Sequence, residues 1–343
     1  MKLVIPIDNQ HSYRSIPRNQ DLKLKIINHC NWPSRVLLID HTGNCFICQC
    51  EAWLPITVGK ITNFERLEDV WQSPTARHLQ QDIDSGKFTH CAVNHCGIVQ
   101  GVNYTDEYVV YIDIDPSCNL VCPSCRKGNI MITEGELYEH RLTEVQHVIS
   151  LLNKFEQPVR IVMSGNGDPL ASAIMRPLIK EFKPNSNQKI RLFTNGLLLK
   201  KQLADSTALD YIDEFSISVD AGSAAVYEKV RFPGRFDVLV NNLKWLSQLN
   251  RQVTMNFVLQ QSNWHDIENF IQFSLEFKFF PNITQLQDWG TWNDFTEHDV
   301  IGNVGHPDHF LALRELRRVY NKYRGQARWG SSLLLLTTDP NAI

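Results

Sequence analysis

Three cysteines fall within eight residues as Cys118-Asn-Leu-Val-Cys122-Pro-Ser-Cys125. Three thiolates on one short loop can hold three irons of a cubane [4Fe–4S] cluster, whose ligation follows such local spacing. A cluster that only carries electrons normally recruits a fourth cysteine. Stopping at three leaves one iron open to a substrate or cofactor, by the logic that leaves a catalytic zinc an open position. With nine cysteines in 343 residues, random placement gives this triplet in about 0.006 of chains, so composition alone does not explain it. Structural zinc is the other metal to weigh, but it usually wants paired C-x2-C knuckles and four ligands. A disulfide cluster needs an oxidising compartment. Residues 1–20 are largely polar, with Arg14 and Arg18 among them, unlike a secretory signal. No run approaches 18 apolar residues, so no membrane span is expected. A reducing, cytoplasmic setting is the expectation, where clustered cysteines bind metal more often than they form disulfides.

The elements that must position this loop follow a regular pattern. From Tyr108 onward, β-rich runs predict strands over 108–113, 160–163, 190–193, 214–219, 252–259 and 283–287. Between them run apolar stripes at helical spacing: Val145 to Phe155, Ile174 to Phe182, Phe236 to Leu246, and Ile267 to Ile271. Strands alternating with helices predict an α/β fold, a parallel sheet with right-handed crossovers. Ligands of such sheets bind at the carboxyl ends of the strands. The three-cysteine loop directly follows the first strand, which places it at that mouth.

The first hundred residues read differently. Six cysteines lie there (Cys30, Cys45, Cys48, Cys50, Cys91 and Cys96), strands are short, and one helical pattern covers 67–83. A second metal centre is the natural reading. Gly101–Asp106 is the expected seam, dividing the chain into residues 1–105, a core of 106–300, and a C-terminal cover of 301–343. In the last part, Phe310, Leu313, Leu316, Val319 and Tyr320 keep helical spacing within Pro307 to Tyr323. Its Arg314, Arg317, Arg318, Lys322 and Arg324 read as a solvated face, an acidic partner being the bolder reading. Leu333–Leu336 reads as a last strand or cover. The composition, 43% hydrophobic and 21% charged, is that of an ordinary globular enzyme. A net charge of −3 gives no basic field of the kind nucleic acid requires, and no repeat or low-complexity tract is visible.

With these residues in view, the chain resembles the radical S-adenosylmethionine superfamily, whose C-x3-C-x2-C motif follows the first strand of a partial (β/α)6 TIM-like barrel. The resemblance implies that Cys118, Cys122 and Cys125 hold a [4Fe–4S] cluster and that S-adenosylmethionine binds its open iron. Ser164-Gly165-Asn166-Gly167-Asp168-Pro169 resembles the family's G-G-E-P-like turn after the second strand, making Gly165, Gly167, Asp168 and Pro169 candidates for the cofactor. Asn195, after the third strand, and Ser218 and Asp220, after the fourth, are further candidates. Tyr227-Glu228-Lys229-Val230-Arg231 resembles the segment whose arginine meets the methionyl carboxylate. The sequence departs from the family at Asn166, where glycine is common, at Asp168, where glutamate is usual, and at Ser124, where an aromatic residue is frequent.

The N-terminal cysteines resemble a SPASM or shorter twitch auxiliary-cluster domain, placed here before the barrel rather than after it. Cys30, Gly43 and Cys48 fit its opening, and Cys91 with Cys96 its closing pair. The resemblance implies a second [4Fe–4S] centre on Cys30, Cys48, Cys91 and Cys96. Zinc on the same thiolates stays open, as do the roles of Cys45, Cys50, His90 and His95. The implied activity is reductive cleavage of S-adenosylmethionine to a 5′-deoxyadenosyl radical, which takes hydrogen from a substrate. The implied partners are an electron donor such as flavodoxin or ferredoxin and a peptide or protein side chain as substrate. A small metabolite or nucleotide is the alternative substrate, and a non-catalytic iron–sulfur or zinc carrier the alternative function. Asn256, Gln260, Asn263, Gln285, Gln287, Asp288 and Trp289, near the last two strands, are further candidates for substrate contact, Asp288 foremost.

Overall fold

The computed structural model describes residues 30–50, 53–91, 105–164 and 166–330. Six strands, β4 (Tyr108–Ile112), β5 (Val159–Met163), β6 (Gln188–Thr194), β7 (Ile212–Ser218), β8 (Gln252–Leu259) and β9 (Phe280–Gln285), pair in parallel in chain order. Alternate residues on these strands, such as Ile161, Leu192, Ile217, Met255 and Ile283, are fully buried in the hydrophobic core. The covering helices are α3 (Glu136–Lys154), α4 (Arg176–Lys180), α5 (Leu199–Leu203), α6 (Ala208–Tyr211), α7 (Ala224–Val230), α8 (Phe236–Ser247), α9 (Ile267–Glu276) and α10 (His309–Tyr323). The result is a partial barrel, with β9 at one edge of the sheet.

Among the residues of opposite parity, several are polar and bond one another across the strands. Arg160 bonds Glu214 at 2.5 Å and Glu107 at 3.0 Å, while Arg191 reaches Glu214 from the neighbouring strand. Nearer the strand ends, Asn256 donates to Ser216 at 2.8 Å and Asn282 donates to Asn256 at 2.9 Å. A barrel lined in this way offers hydrogen bonds where an apolar interior would offer only packing.

The N-terminal part joins the same sheet. β1 (Val36–Ile39), β2 (Asn44–Phe46) and β3 (Gly59–Lys60) form an antiparallel meander, and β1 pairs in parallel with β4, Val36 beside Val109 through Ile39 beside Ile112. All four residues of β1 are buried. Together they give a nine-stranded sheet in the order β3-β2-β1-β4-β5-β6-β7-β8-β9.

Most strand ends shift by one or two residues, and two elements differ more from the sequence expectation. The helical pattern over 67–83 is split into α1 (Leu67–Gln72) and α2 (Pro74–Asp84). Pro74 can only open a helix, and the Ser73 hydroxyl caps the second one by accepting from the Ala76 amide. The last strand runs 280–285 rather than 283–287, because its ladder with β8 sets the register from Phe280 onward, beside Thr254. Among the described residues no helix is long and apolar enough to cross a membrane. The tail at 333–336 lies outside the described residues.

Candidate active site

Directly after β4 the chain turns on Asp115, whose Oδ1 accepts from both the amide (3.0 Å) and the hydroxyl (2.9 Å) of Ser117. The other oxygen accepts from Ser172, and the Ser117 hydroxyl accepts from the Ile132 amide at 2.9 Å. All three side chains are buried, so this network fixes the entry to the three-cysteine loop. The exit is fixed by the Cys118 amide donating to the Ile130 carbonyl at 3.0 Å. The sequence signal for this turn is the Asp-Pro-Ser before Cys118, a turn-forming triplet.

The three sulfurs stand in different surroundings. Cys118 and Cys122 are buried and, with Leu120 and the half-buried Leu197, make a small apolar cluster apart from the main core; Cys125 is exposed. Each thiol faces an N–H donor. The Leu120 amide (3.4 Å) and the Asn195 side chain (3.9 Å) point at Cys118, Arg231 Nη1 at Cys122 (3.9 Å), and Arg126 Nη2 at Cys125 (3.7 Å). Burial pushes the Cys118 thiol up to about 11. It raises Cys122 as well, against the pull of Arg231. The protein alone therefore favours neutral thiols at these two positions, and a bound metal's charge would ionise them outright. A soft donor set of three thiols, each with a hydrogen-bond donor for the negative sulfur, suits an iron–sulfur cluster. Among the described residues no three or more His, Cys, Asp or Glu side chains gather as ligands of a single metal ion.

The turn after β5 packs onto this loop. The Asp168 amide donates to the Ser117 carbonyl at 2.8 Å. A Cβ on Gly167 would fall on that carbonyl oxygen and lie 2.8 Å from the Asp115 carbonyl oxygen. Gly167 is thus a close-approach glycine. The Asp168 side chain points inward: Oδ2 accepts from Thr194 Oγ1 (2.8 Å) and the Asn195 amide (2.7 Å), and Oδ1 from the Leu170 amide (2.9 Å). Its carboxylate latches the β5 turn to the β6 turn, and burial raises its pKa against the pull of these three donors. Pro169 is buried beside it, and Gly165 lies outside the described residues.

Across the site, Asp220 follows β7 with φ +59, a left-handed backbone that Asp tolerates better than most residues. Its carboxylate accepts from the Val258 amide at 2.8 Å and pairs with Arg231 Nη2 at 2.6 Å. Burial raises the Asp220 pKa, and Arg231 opposes that rise. Arg231 Nε and the Tyr227 hydroxyl are buried without a hydrogen-bond partner. Such orphaned groups beside the cysteines are what a polar ligand would satisfy. Ser218 ends β7 half-buried.

The other candidates divide plainly. Asn256 belongs to the barrel's polar row. Asn263 is fully buried and holds the Asp220 and Val258 carbonyls at 3.0 and 2.9 Å, a structural use; Gln260 is buried beside it. Gln285 bonds Asp299. Asp288 caps its own turn at the Gly290 amide, and Trp289 is exposed. In the N-terminal part, Cys48 follows β2 and is buried, while Cys30, Cys50 and Cys91 are half-buried; Cys96 and His95 lie outside the described residues. Cys45 sits within β2, fully buried, and burial, then Asp40 and Glu144, push its thiol far up.

The family model described as the radical SAM superfamily matches residues 113–274, and the SPASM model, an iron-sulfur cluster-binding domain, matches residues 30–97. A probable GTP 3′,8-cyclase of Methanococcus maripaludis is 28% identical over 131 residues, 37% of this chain and 41% of that protein. The mycofactocin maturase MftC of Mycobacterium tuberculosis is 24% identical over 180 residues, 52% of this chain and 44% of that protein. The chain thus spans less than half the length of these curated relatives. SuiB of Streptococcus suis, solved bound to the precursor peptide SuiA, superposes with a TM-score of 0.42 at 17% identity, over 78% of this chain and 65% of that one.

Proposed function

Because the chain belongs to the radical SAM superfamily and carries a SPASM iron-sulfur cluster-binding domain, we propose that it is an enzyme of radical hydrogen abstraction acting on a peptide or protein side chain. When bound, the [4Fe–4S] cluster supplies the electron that cleaves S-adenosylmethionine reductively, giving a carbon radical able to take hydrogen from a substrate. Cys118, Cys122 and Cys125 would hold it. The observation that carries the reading is the loop itself: three thiols at the carboxyl end of β4, two of them buried, each met by an N–H donor.

The remaining work belongs to the chain's own residues. Asn195, Arg231 and Arg126 orient the sulfurs and offset their negative charge. Arg231 Nε and the Tyr227 hydroxyl are each buried without a hydrogen-bond partner, and would offer a methionyl carboxylate a cation and a donor. The apolar cluster of Leu120 and Leu197 keeps water from the two inner sulfurs, and the barrel row of Ser216, Asn256 and Asn282 would hold the substrate in place. Exposed Cys125 marks the side from which an electron donor such as flavodoxin or ferredoxin would approach. The auxiliary domain and the maturase among the relatives support a peptide substrate. Similarity to the GTP 3′,8-cyclase supports a second reading, a small metabolite or nucleotide. The N-terminal cysteines Cys30, Cys48, Cys91 and Cys96 are proposed to carry a second cluster.

The test is anaerobic reconstitution, iron counting and chromatography of the products. Two cubanes give about eight irons per chain, and reduction with S-adenosylmethionine present releases 5′-deoxyadenosine. Cys122→Ala abolishes that release while the protein stays folded. A fully reconstituted sample that releases none refutes the proposal.

A further inference from the structure

The turn between β1 and β2 reaches from the N-terminal module to the turn that follows β5. Asp40 Oδ1 accepts from the amides of Thr42 and Asn44, both at 2.8 Å, and from the Thr42 hydroxyl at 2.7 Å, which stiffens the turn. Gly43 allows it with φ +75. His41 stands within that turn, its Nδ1 2.9 Å from Nδ2 of Asn166. An amide nitrogen only donates, so the ring nitrogen accepts and the ring proton sits on Nε2. The Asn166 carbonyl in turn accepts from Arg126 Nη2. Arg126 also donates through Nη1 to the Pro116 carbonyl at 2.7 Å and lies 3.7 Å from Cys125 Sγ. A continuous line of contacts therefore runs from the module's turn to the third cysteine. It depends on a side chain at position 166, where a glycine would offer His41 nothing to hold.

Resting on the function proposed above, we infer that His41 is a positioning residue for the S-adenosylmethionine site. Through Asn166 and Arg126 it fixes the Asn166–Pro169 turn against the three-cysteine loop. The N-terminal module, not the barrel alone, then sets how tightly the sulfonium nucleotide is held. This role is separate from any cluster the module carries, because none of the residues in the line is one of its cysteines.

The experiment uses the full-length, reconstituted protein, titrated anaerobically with S-adenosylmethionine while the paramagnetic resonance spectrum of the reduced cluster is followed. His41→Ala is expected to keep its iron and its circular dichroism but to need about fivefold more nucleotide for half-saturation, the loss of one hydrogen bond. In turnover the same factor appears in KM for the nucleotide, with kcat unchanged. His41→Gln, whose side-chain carbonyl can accept from Asn166, restores most of the affinity. Asn166→Gly matches His41→Ala, and the double variant is no worse than either, since both remove one contact. Half-saturation of His41→Ala within twofold of wild type, or additive losses in the double variant, overturns the inference alone. A wild-type spectrum indifferent to the nucleotide overturns the proposed function, and the inference with it.

Discussion

Replacing Gly167 by alanine tests whether the packing of two backbone segments shapes the cysteine loop. The added methyl would fall on the Ser117 carbonyl oxygen, 2.7 Å from the Pro116 carbonyl carbon and 2.8 Å from the Asp115 carbonyl oxygen. All three atoms are main chain, so no side chain can swing aside to make room. Relief requires the turn and the loop to separate, which breaks the hydrogen bond from the Asp168 amide to Ser117 at 2.8 Å. Overpacking of this kind costs about 1–3 kcal/mol, and the lost hydrogen bond adds about 1 kcal/mol, giving about 3 kcal/mol in all. Urea denaturation of the apo-protein should report that loss. Iron per chain after reconstitution should fall by the share that the three-cysteine loop would bind, because the displaced loop presents its sulfurs badly. Gly128→Ala is the control. It lies three residues beyond Cys125, meets no heavy atom within 4 Å and has no left-handed φ, so its effect should stay within about 0.5 kcal/mol. If Gly167→Ala unfolds at the wild-type urea concentration and binds the wild-type complement of iron, the reasoning from close approach is wrong.

Two further perturbations address other parts of the molecule. Asp220→Asn keeps the shape and the tolerance for a left-handed backbone but strands the buried Arg231 charge; about 3 kcal/mol of stability should be lost, measured by urea unfolding of the apo-protein, and a loss below about 1 kcal/mol would show the pair to be unimportant. Glu268 binds Lys322 at 2.7 Å, Tyr323 at 3.2 Å and Arg318, and the hydrogen bonds from Lys322 and then Arg318 hold its pKa down to about 2 from an ordinary 4.5. A depressed carboxylate stabilises the fold above the ordinary value and loses that contribution as pH falls from about 4.5 toward 2. Solvent around this site limits the contribution to about 1 kcal/mol. Glu268→Gln should remove this part of the acid dependence in thermal melts, and an unchanged pH profile would contradict it.

The sequence made some of this legible and hid the rest for definite reasons. Cys118, Cys122 and Cys125 announce themselves by spacing, and the alternation of β-rich runs with apolar stripes from Tyr108 predicts the parallel strands because both periods are local properties. What a side chain does at the end of a strand is not local. The neighbours of Asp168 put it in the turn after a β-rich run, but nothing in Gly-Asp-Pro says that its carboxylate turns inward to Thr194 and Asn195, which are set by the next strand. Asp220 and Arg231 are eleven positions apart, and only the packing of α7 brings the two charges together. Val36–Ile39 is a short apolar run that periodicity alone cannot resolve; its partnership with β4 joins residues 73 positions apart, Val36 beside Val109. His41 carried no signal at all, since its significance lies wholly in facing Asn166.

The parallel pairing of β1 with β4 has a consequence for how the molecule can be dissected. Excising everything before residue 106 would not free a tidy catalytic half. It would uncover the full length of Tyr108-Val-Val-Tyr-Ile as a bare rim, its main-chain donors and acceptors open to any passing strand. Such a β-branched, aromatic, uncharged stretch is a template for self-association. The cysteine-rich segment thus doubles as a selvedge for the barrel, and a preparation lacking it would be expected to precipitate before its chemistry could be assayed.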